Sequence, residues 1–248
     1  MQSRFFVLAF CFLAITRVSA ETLRWGFSPT DPAPYVMMQG GELGPSITRS
    51  MGELVASRLG WQLEFVEVPN NRLDQSLRGG RIDLVCNTNP AWHRAPEKHR
   101  WSRPLYHDAD VVVIRAGRTI PDRLEDMEGM RIGAGHDQHY PPELANAFSD
   151  GTFQRLDVRD TETRLRMVEH NRLDATVERR RAVQYHITRH PDHLLAIAPW
   201  TLAEIPLQCV AEQKHRDRGT RAIETLERLY GDQDIRAVLT GFGLVAEQ

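Results

Sequence analysis

The sequence predicts an α/β protein of two lobes, each with a mostly parallel sheet flanked by helices, joined by two crossing segments. Strand-like and helix-like patterns alternate along the chain, which is typical of parallel sheets with crossover helices. The alternation occurs twice, before and after a β-branched apolar segment at 109–115. No Pro/Ser-rich linker or low-complexity tract separates the two series, so extended segments would have to connect the lobes.

The first series is a strand–helix–strand–helix–strand unit. Its clearest element is a helix over 46–59, because apolar residues recur there at three- and four-residue steps and Gly60 follows as a terminator. The other elements predicted in this unit are strands over 23–27, 62–68 and 81–86 and a short helix over 71–78.

The second series begins with the strand over 109–115, whose continuous apolar pattern indicates burial on both faces. The further predicted elements are strands over 131–134, 153–158, 173–177, 194–198 and 207–211, and helices over 142–148, 161–171, a segment ending near 188, and 220–239. The strand over 207–211 is the candidate return crossing. We therefore predict a first lobe of residues 21–107 and 204–248 and a second lobe of 108–203, with a ligand cleft between them.

Residues 1–20 have the pattern of a signal peptide that is removed after export. A basic residue, Arg4, precedes an apolar run of about a dozen residues, and Val18-Ser19-Ala20 offers the small residues that signal peptidase accepts. The alternative, a transmembrane anchor, would need about 20 apolar residues. We therefore expect cleavage before Glu21 and a mature protein that is not inserted in a membrane.

Charge and cysteine content narrow the classes of partner. Removing Arg4 and Arg17 from the 31 basic residues leaves 29 against 33 acidic residues, a net charge of −4. This balance gives no electrostatic reason to expect nucleic acid or an anionic membrane surface as a partner. Cys86 and Cys209, 123 residues apart, form either a disulfide or two buried thiols. We predict no metal site and no cofactor, because no CxxC motif or Cys/His cluster stands out.

Short motifs follow one another in a characteristic order over nearly the whole mature chain. They are LRWGF at 23–27, Pro34-Tyr35-Val36, Gly41–Gly44, Arg58-Leu59-Gly60, Leu77–Leu84, Arg94, Trp101–Tyr106, Leu124–Gly133 and Asn171–Ala175. In this order the chain resembles the extracellular solute-binding proteins of family 3, the amino-acid-type receptors of bacterial ABC importers. The resemblance implies a type II-like periplasmic-binding-protein fold and a location in the periplasm.

The same resemblance implies ligand-binding residues in the first lobe. Arg94, eleven residues after Asp83, matches the arginine that holds a ligand carboxylate through its planar guanidinium. Tyr35 matches an aromatic residue that covers the ligand, although it could equally cap the core beside Pro34. Asn87 and Asn89 lie where the family contacts the ligand with polar groups, and plain turn residues are the alternative for both.

The second lobe departs from the family pattern. Asp137 and Gln138 lie in the turn where relatives bind an anion, and the histidines on either side are too few ligands for a metal site. Arg179 replaces the aspartate that pairs with a ligand ammonium group. Either Glu178 supplies the missing carboxylate, or Arg179 and Arg94 together hold a dicarboxylate or another organic anion. A solvated helix start over 178–181 is the third interpretation.

The function predicted from these observations is the capture of a small polar ligand, amino-acid-like or an organic anion, for an ABC-type importer or a sensor. We expect a monomer without catalytic residues. One alternative is an orphan periplasmic accessory protein that no longer binds a transport ligand. A second is a periplasmic enzyme of the cyclohexadienyl dehydratase type, which would need an acid positioned in the cleft.

Overall fold

The structure is a computed structural model and describes residues 20–136, 138–213 and 218–243. All of the predicted signal peptide except Ala20 lies outside these ranges. Within them, none of the helices combines the length and the apolar character needed to cross a bilayer.

Twelve strands and seven α-helices are found in the described part of the chain. The strands are β1 Thr22–Phe27, β2 Met38–Gln39, β3 Glu42–Leu43, β4 Gln62–Glu67, β5 Leu84–Thr88, β6 His99–Trp101, β7 Tyr106–Arg115, β8 Arg131–Ala134, β9 Gln154–Asp157, β10 Ala175–Arg179, β11 Leu195–Ile197 and β12 Ala203–Glu212. The helices are α1 Ile47–Leu59, α2 Leu73–Arg78, α3 Pro142–Ser149, α4 Thr161–Glu169, α5 Arg180–Arg189, α6 Arg218–Gly231 and α7 Asp234–Gly241.

The sheet order, β4-β1-β5-β12-β7-β10-β8-β9, shows how the two lobes are connected. In the first lobe β1 pairs in parallel with β4 and β5, and in the second lobe β8 pairs in parallel with β9 and β10. The ten-residue strands β7 and β12 pair antiparallel to each other and lie between the two parallel groups. This confirms the predicted fold class. The predicted boundaries at 107–108 and 203–204, which fall at the starts of β7 and β12, stay a prediction.

The core of the first lobe lies between its sheet and helices α1 and α6. Trp25 on β1, Met51 on α1 and Ile223 on α6 are all fully buried in this cluster. The pattern that predicts α1 is therefore an amphipathic one, and its ends are set by the Ser46 side chain, which accepts a hydrogen bond from the Arg49 amide, and by Gly60 in the left-handed conformation. The Sγ atoms of Cys86 and Cys209 are bonded and join β5 to β12 inside this core.

The core of the second lobe covers both faces of β7, as its apolar run predicts. Val112 and Ile114 pack into one cluster, whereas Val111 and Val113 pack into another on the opposite face. This division follows from the alternation of side chains along a strand. Helices therefore cover both sides of the sheet, which is the arrangement expected for parallel strands in α/β proteins.

Three predicted elements differ from the structure. The predicted helix over 220–239 is two helices, α6 and α7, and Gln233 between them has a positive φ of 66°. The strand predicted over 81–86 is β5, which begins at Leu84, and the strand predicted over 173–177 is β10, which begins at Ala175. In both cases an aspartate just before the strand bonds through its side chain to a neighbouring strand, so regular pairing begins after it.

Candidate functional site

A cavity of about 710 Å³ lies between the lobes, beyond the carboxyl ends of β5 and β10. This is where open α/β folds commonly bind ligands, and the volume is in the range of small-molecule sites. Five of the predicted ligand-binding residues line it, and these are Tyr35, Asn87, Gln138, Arg94 and Arg179. Asp137 lies outside the described residues.

Tyr35 and Asn87 form the first-lobe wall, but their polar atoms are already bonded within the protein. The Tyr35 hydroxyl donates to the Asp108 carboxylate, and burial raises the pKa of Tyr35 well above its usual value. The Asn87 amide accepts from the Tyr106 hydroxyl and donates to Thr48 at 2.9 Å. These two side chains therefore form part of the cavity wall, but their polar atoms are not free to bind a ligand.

Asn89, in contrast, is not among the residues that line the cavity. Its side-chain oxygen accepts from the Ala91 amide at 2.9 Å and so caps a short 3-10 helix. Its amide nitrogen donates to the Pro206 carbonyl on β12 at 2.8 Å. Asn89 thus fixes the loop after β5, which is the turn role that the sequence left open.

Arg94 reaches the cavity with its charge available. The residue is exposed and lines the cavity, and only its backbone amide is bonded, to the Asp74 carboxylate at 3.2 Å. Arg159, which follows β9 in the second lobe, also lines the cavity and is exposed. Within the described ranges neither guanidinium has an ion-pair partner. Sequence reasoning missed Arg159, since no motif distinguishes it from the many other arginines.

Arg179 lines the cavity but is not a free cation. Its guanidinium forms an ion pair with Asp110 on β7, and it lies 4.9 Å from the centroid of the Trp92 ring. Burial raises the pKa of Asp110 to about 6, although Arg179 favours the ionised carboxylate. The His139 ring stacks on Trp92 with the centroids 6.0 Å apart. Arg179 is therefore engaged by an ion pair within the second lobe and by a ring of the first lobe, which weakens the predicted Arg94–Arg179 clamp.

Glu178 does not line the cavity, and its contacts do not support the alternative in which it serves the ligand. The residue is only 1% exposed, and its carboxylate accepts from the Arg164 guanidinium at 2.5 and 2.9 Å. The hydroxyls of Thr161 and Thr176 each donate to it at 2.8 Å. Every oxygen of this carboxylate is therefore engaged, and the pair holds α4 against β10.

Gln138, a predicted ligand-binding residue of the second lobe, is hydrogen-bonded within the turn after β8. Its side-chain oxygen accepts from the Tyr140 hydroxyl at 2.6 Å, and that hydroxyl accepts from the Gly135 amide at 2.8 Å. The turn after β8 therefore uses side chains to hold its own backbone amide, in place of a Gly/Ser-rich loop that offers amides to an anion.

A buried polar cluster lies at the edge of the cavity, and no sequence pattern predicts it. The Thr88 hydroxyl lies 2.8 Å from His93 Nε2, and His93 Nδ1 lies 2.5 Å from an oxygen of Asp74. Burial lowers the pKa of His93, against the opposing effect of Asp74. These residues lie on α2, at the end of β5 and in the following loop, so only the fold brings them together.

Sequence comparison supplies one informative relative. No protein-family model matches the chain. A probable amino-acid ABC transporter-binding protein from Haemophilus influenzae is 26% identical over 145 residues, which are 58% of this chain and 54% of that protein. The chain therefore matches about half the length of this curated relative.

Structural comparison gives much broader coverage. An ancestral arginine-binding protein, solved with arginine, has a TM-score of 0.75 at 17% identity, over 90% of this chain and 99% of that one. A histidine kinase sensor domain with similarity to periplasmic binding proteins also has a TM-score of 0.75, at 18% identity, over 93% of this chain and all of that domain. The chain therefore has the two-lobed fold of the periplasmic binding proteins, and its predicted resemblance to the family 3 solute-binding proteins is confirmed.

Proposed function

We propose that this protein is a periplasmic solute-binding protein that captures a small organic anion between its lobes for an ABC-type importer or a sensor. The observation that carries the proposal is the presence of two arginines without ion-pair partners among the described residues, one from each lobe, on the wall of one cavity. Two guanidinium groups on the wall of one cleft suit a ligand with one or two carboxylates.

The charges on the cavity wall support an anion over a cation. Arg164 and Arg179 are each neutralised by a buried carboxylate, whereas Arg94 and Arg159 are not. Of the acidic groups on the wall, Asp31 has a pKa raised to about 6 by burial, and Asp74 is bonded to His93. Asp31 is therefore the wall carboxylate in the described part of the chain that could pair with an α-ammonium group, against two guanidinium groups without ion-pair partners, since Glu178 is engaged elsewhere.

The apolar part of the ligand would contact aromatic side chains. Trp92 and Tyr35 both line the cavity, and aromatic rings bury large areas of apolar ligand surface. Closure of the lobes would exclude water and strengthen the interaction of the ligand carboxylates with the arginines. A small aromatic or branched organic acid fits this combination of charge and surface.

Periplasmic location and the choice between an importer and a sensor also belong to this proposal. Residues 1–20 have the pattern of a cleaved signal peptide, and the similar proteins include both a probable ABC transporter-binding protein and a kinase sensor domain. They are binding proteins or sensor domains rather than enzymes, which supports binding without turnover. An assay for loss of prephenate tests the dehydratase alternative directly.

The test is a thermal-shift screen of residues 21–248 against mono- and dicarboxylates, aromatic acids and amino acids, followed by calorimetric titration of the hits. A ligand at 100 times its dissociation constant should stabilise the fold by about 2.7 kcal/mol. Arg94→Ala and Arg159→Ala should each weaken binding about 10- to 100-fold, because a charged hydrogen bond contributes roughly 1.5–3 kcal/mol.

Arg172→Ala is the matched control, because Arg172 is also an exposed loop arginine of the second lobe but does not line the cavity. It should bind with unchanged affinity. The proposal fails if organic anions do not stabilise the protein, or if the two cavity variants bind as tightly as the control. In the first case the accessory-protein interpretation gains support.

A further inference from the structure

A second group of chemically active side chains lies beside the cavity and is not explained by anion binding. Asp74, His93 and His99 each offer one ligand atom, and these atoms all lie within 4.8 Å of one another. His93 and His99 are only 9% and 6% exposed. Their rings are held in place by packing, with the His93 ring centroid 5.9 Å from that of His99 and 5.0 Å from that of Trp101.

His99 is the residue that most needs an explanation. Neither of its ring nitrogens has a hydrogen-bond partner within the described ranges, although both are buried, and the same holds for Oε2 of Glu212. A buried polar group without a partner costs about 1–3 kcal/mol. Three such atoms in one place indicate that the cluster is built for something other than hydrogen bonds among its own members.

The spacing of these atoms suits a shared ion. Nε2 of His99 lies 3.7 Å from Oδ1 of Asp74, which is too long for a hydrogen bond. Two ligands of one tetrahedral zinc ion, each about 2.0–2.1 Å from the metal, lie roughly 3.3 Å apart. For a common centre, Nε2 of His99 would have to approach Oδ1 of Asp74, and Nδ1 of His93, now 2.5 Å from that oxygen, would have to move away from it.

We propose that Asp74, His93 and His99 bind a divalent metal ion of the zinc type at the edge of the cleft. The ligand atoms are Oδ1 of Asp74, Nδ1 of His93 and Nε2 of His99. The ion takes the place of the proton between His93 and Asp74, and the neutral imidazole of His93 then carries its proton on Nε2. This inference does not depend on the proposed function, since it uses none of the cavity arginines.

The outer contacts of both histidines match this assignment. Nε2 of His93 lies 2.8 Å from the Thr88 hydroxyl, which accepts its proton in a hydrogen bond. Nδ1 of His99 lies 3.8 Å from Oε2 of Glu212, so a small movement of either side chain would let it donate to that carboxylate. Histidine ligands of metals typically donate their second N–H to a carboxylate or another oxygen, which fixes the ring and its protonation. A metal on Nε2 of His99, with that movement, would give partners to all three of the unpartnered atoms of His99 and Glu212.

The ligand set selects the class of metal. Two imidazoles with one carboxylate favour zinc and neighbouring transition metals, whereas calcium and magnesium prefer oxygen ligands alone. The charges also balance, because a divalent ion is matched by the carboxylates of Asp74 and Glu212. Three protein ligands leave one position for water or a solute, and Asp74 and His93 both line the cavity.

The experiment is calorimetric titration of chelator-treated residues 21–248 with zinc chloride, with cobalt absorption spectra as the second measurement. The wild type should bind one ion with a submicromolar dissociation constant and give the intense visible bands of tetrahedral cobalt. Asp74→Asn and His99→Phe should each weaken zinc binding by at least about 100-fold, since changes to outer contacts alone cost 10- to 100-fold.

His190→Ala is the matched control, because His190 is an exposed histidine that stacks on His186 with ring centroids 4.2 Å apart on and just after α5. It should keep the zinc affinity of the wild type. Circular dichroism checks that each variant folds. If a variant does not fold, the wild-type stoichiometry and cobalt spectrum decide. Millimolar binding by the wild type, or equal affinity in Asp74→Asn and His190→Ala, overturns the proposal.

Discussion

The two lobes share an equivalent contact between an arginine and an aspartate, although other bonds that stabilise their sheets differ. In the first lobe the Arg24 amide and guanidinium both donate to Asp83, at 2.8 Å for the amide. In the second lobe Arg131 donates in the same way to Asp174, at 3.0 Å for the amide. In each case the arginine lies on the central parallel strand, and the aspartate directly precedes the neighbouring strand.

A glycine occurs two residues after each of these arginines. A Cβ atom on Gly26 would lie 2.5 Å from Ile82 Cδ1, and one on Gly133 would lie 2.5 Å from Leu173 Cδ1. The short sequences RWGF and RIGA, paired with RIDLV and RLDATV, therefore describe the same local structure twice. No internal repeat is visible in the sequence, because only four or five positions carry it.

The difference lies further along the equivalent strands β5 and β10. β5 carries Cys86, which is bonded covalently to Cys209, whereas β10 carries Glu178, which is paired with the buried Arg164. A disulfide is a covalent bond that changes in pH or salt do not break. A buried ion pair, in contrast, stabilises the fold only while both charged side chains are present. The comparison indicates that one scaffold can be held either by a covalent bond or by an internal salt bridge.

The largest expected effect is the loss of the ion pair in the second lobe. Arg164→Met leaves the Glu178 carboxylate buried without its cation, so the free energy of unfolding should fall by about 3–5 kcal/mol. Urea denaturation followed by circular dichroism measures this. Arg166→Met, two residues along the same helix, breaks only the exposed pair with Glu162 and should change stability by less than about 1 kcal/mol. Equal effects would remove the contrast between the lobes.

The corresponding change in the first lobe replaces both cysteines by alanine. Because the disulfide restricts the unfolded chain over 123 residues, its loss should lower the free energy of unfolding by about 2–5 kcal/mol. Denaturation of the wild type with and without a reductant gives an independent measurement. Arg164→Met should show no added sensitivity to the reductant. If reduction of the wild type leaves its stability unchanged, the covalent half of the comparison is wrong.

Substitution of the two equivalent glycines sharpens the comparison. Gly26→Ala and Gly133→Ala each place a methyl group against a packed side chain, and overpacking typically costs about 1–3 kcal/mol. The two losses should be of similar size, because each new methyl group lies 2.5 Å from the end of one apolar side chain. Gly231→Ala at the end of α6 is the control, because a Cβ there meets no atom within 4 Å. Thermal melts of the three variants test this.

The smallest expected effect concerns pH and lies on the cavity wall. Since the pKa of Asp31 is raised to about 6 by burial, a negative charge develops there as the pH rises from about 5 to about 7. Under the proposed function, affinity for an organic anion should fall about two- to fivefold over this range, as for partly exposed charges. Asp31→Asn should remove that part of the decrease, measured by titration at several pH values.

The same ionisation affects stability with a defined sign. A raised pKa means that the folded state holds the Asp31 proton more tightly than the unfolded chain does, so the contribution of this group to stability falls as pH rises from about 4 to about 6. In Asp31→Asn the free energy of unfolding should no longer show the part of the pH dependence that comes from this carboxyl group. A variant whose affinity and stability follow the wild-type pH profile would contradict both expectations.

The fold could be predicted from local patterns because it depends on them. The three- and four-residue steps of α1 and the continuous apolar run of β7 each report burial directly. The end of α6 was missed because the break is only a short polar turn, Gly231–Asp234, and apolar residues resume directly after it at Ile235. The predicted starts of β5 and β10 were too early, because the preceding aspartates fit the strand pattern. The sequence does not show that arginine side chains bind them.

The candidate site was less predictable, because it depends on which charges are paired. Arg94 was assigned to the ligand by the family resemblance, and it lies on the cavity wall. Glu178 was assigned to the ligand because nothing in the sequence shows that Arg164, fourteen residues earlier, neutralises it. Arg159 was missed for the converse reason, since an arginine without a partner looks the same in sequence as one with a partner.

The position of Trp92 has a practical consequence. Its indole contacts two second-lobe groups, the Arg179 guanidinium at 4.9 Å and the His139 ring at 6.0 Å. Separation of the lobes would remove a cation from one ring face and admit water. The emission wavelength of this indole would therefore respond to opening and closing, so the protein contains its own fluorescent reporter of lobe movement without an added dye.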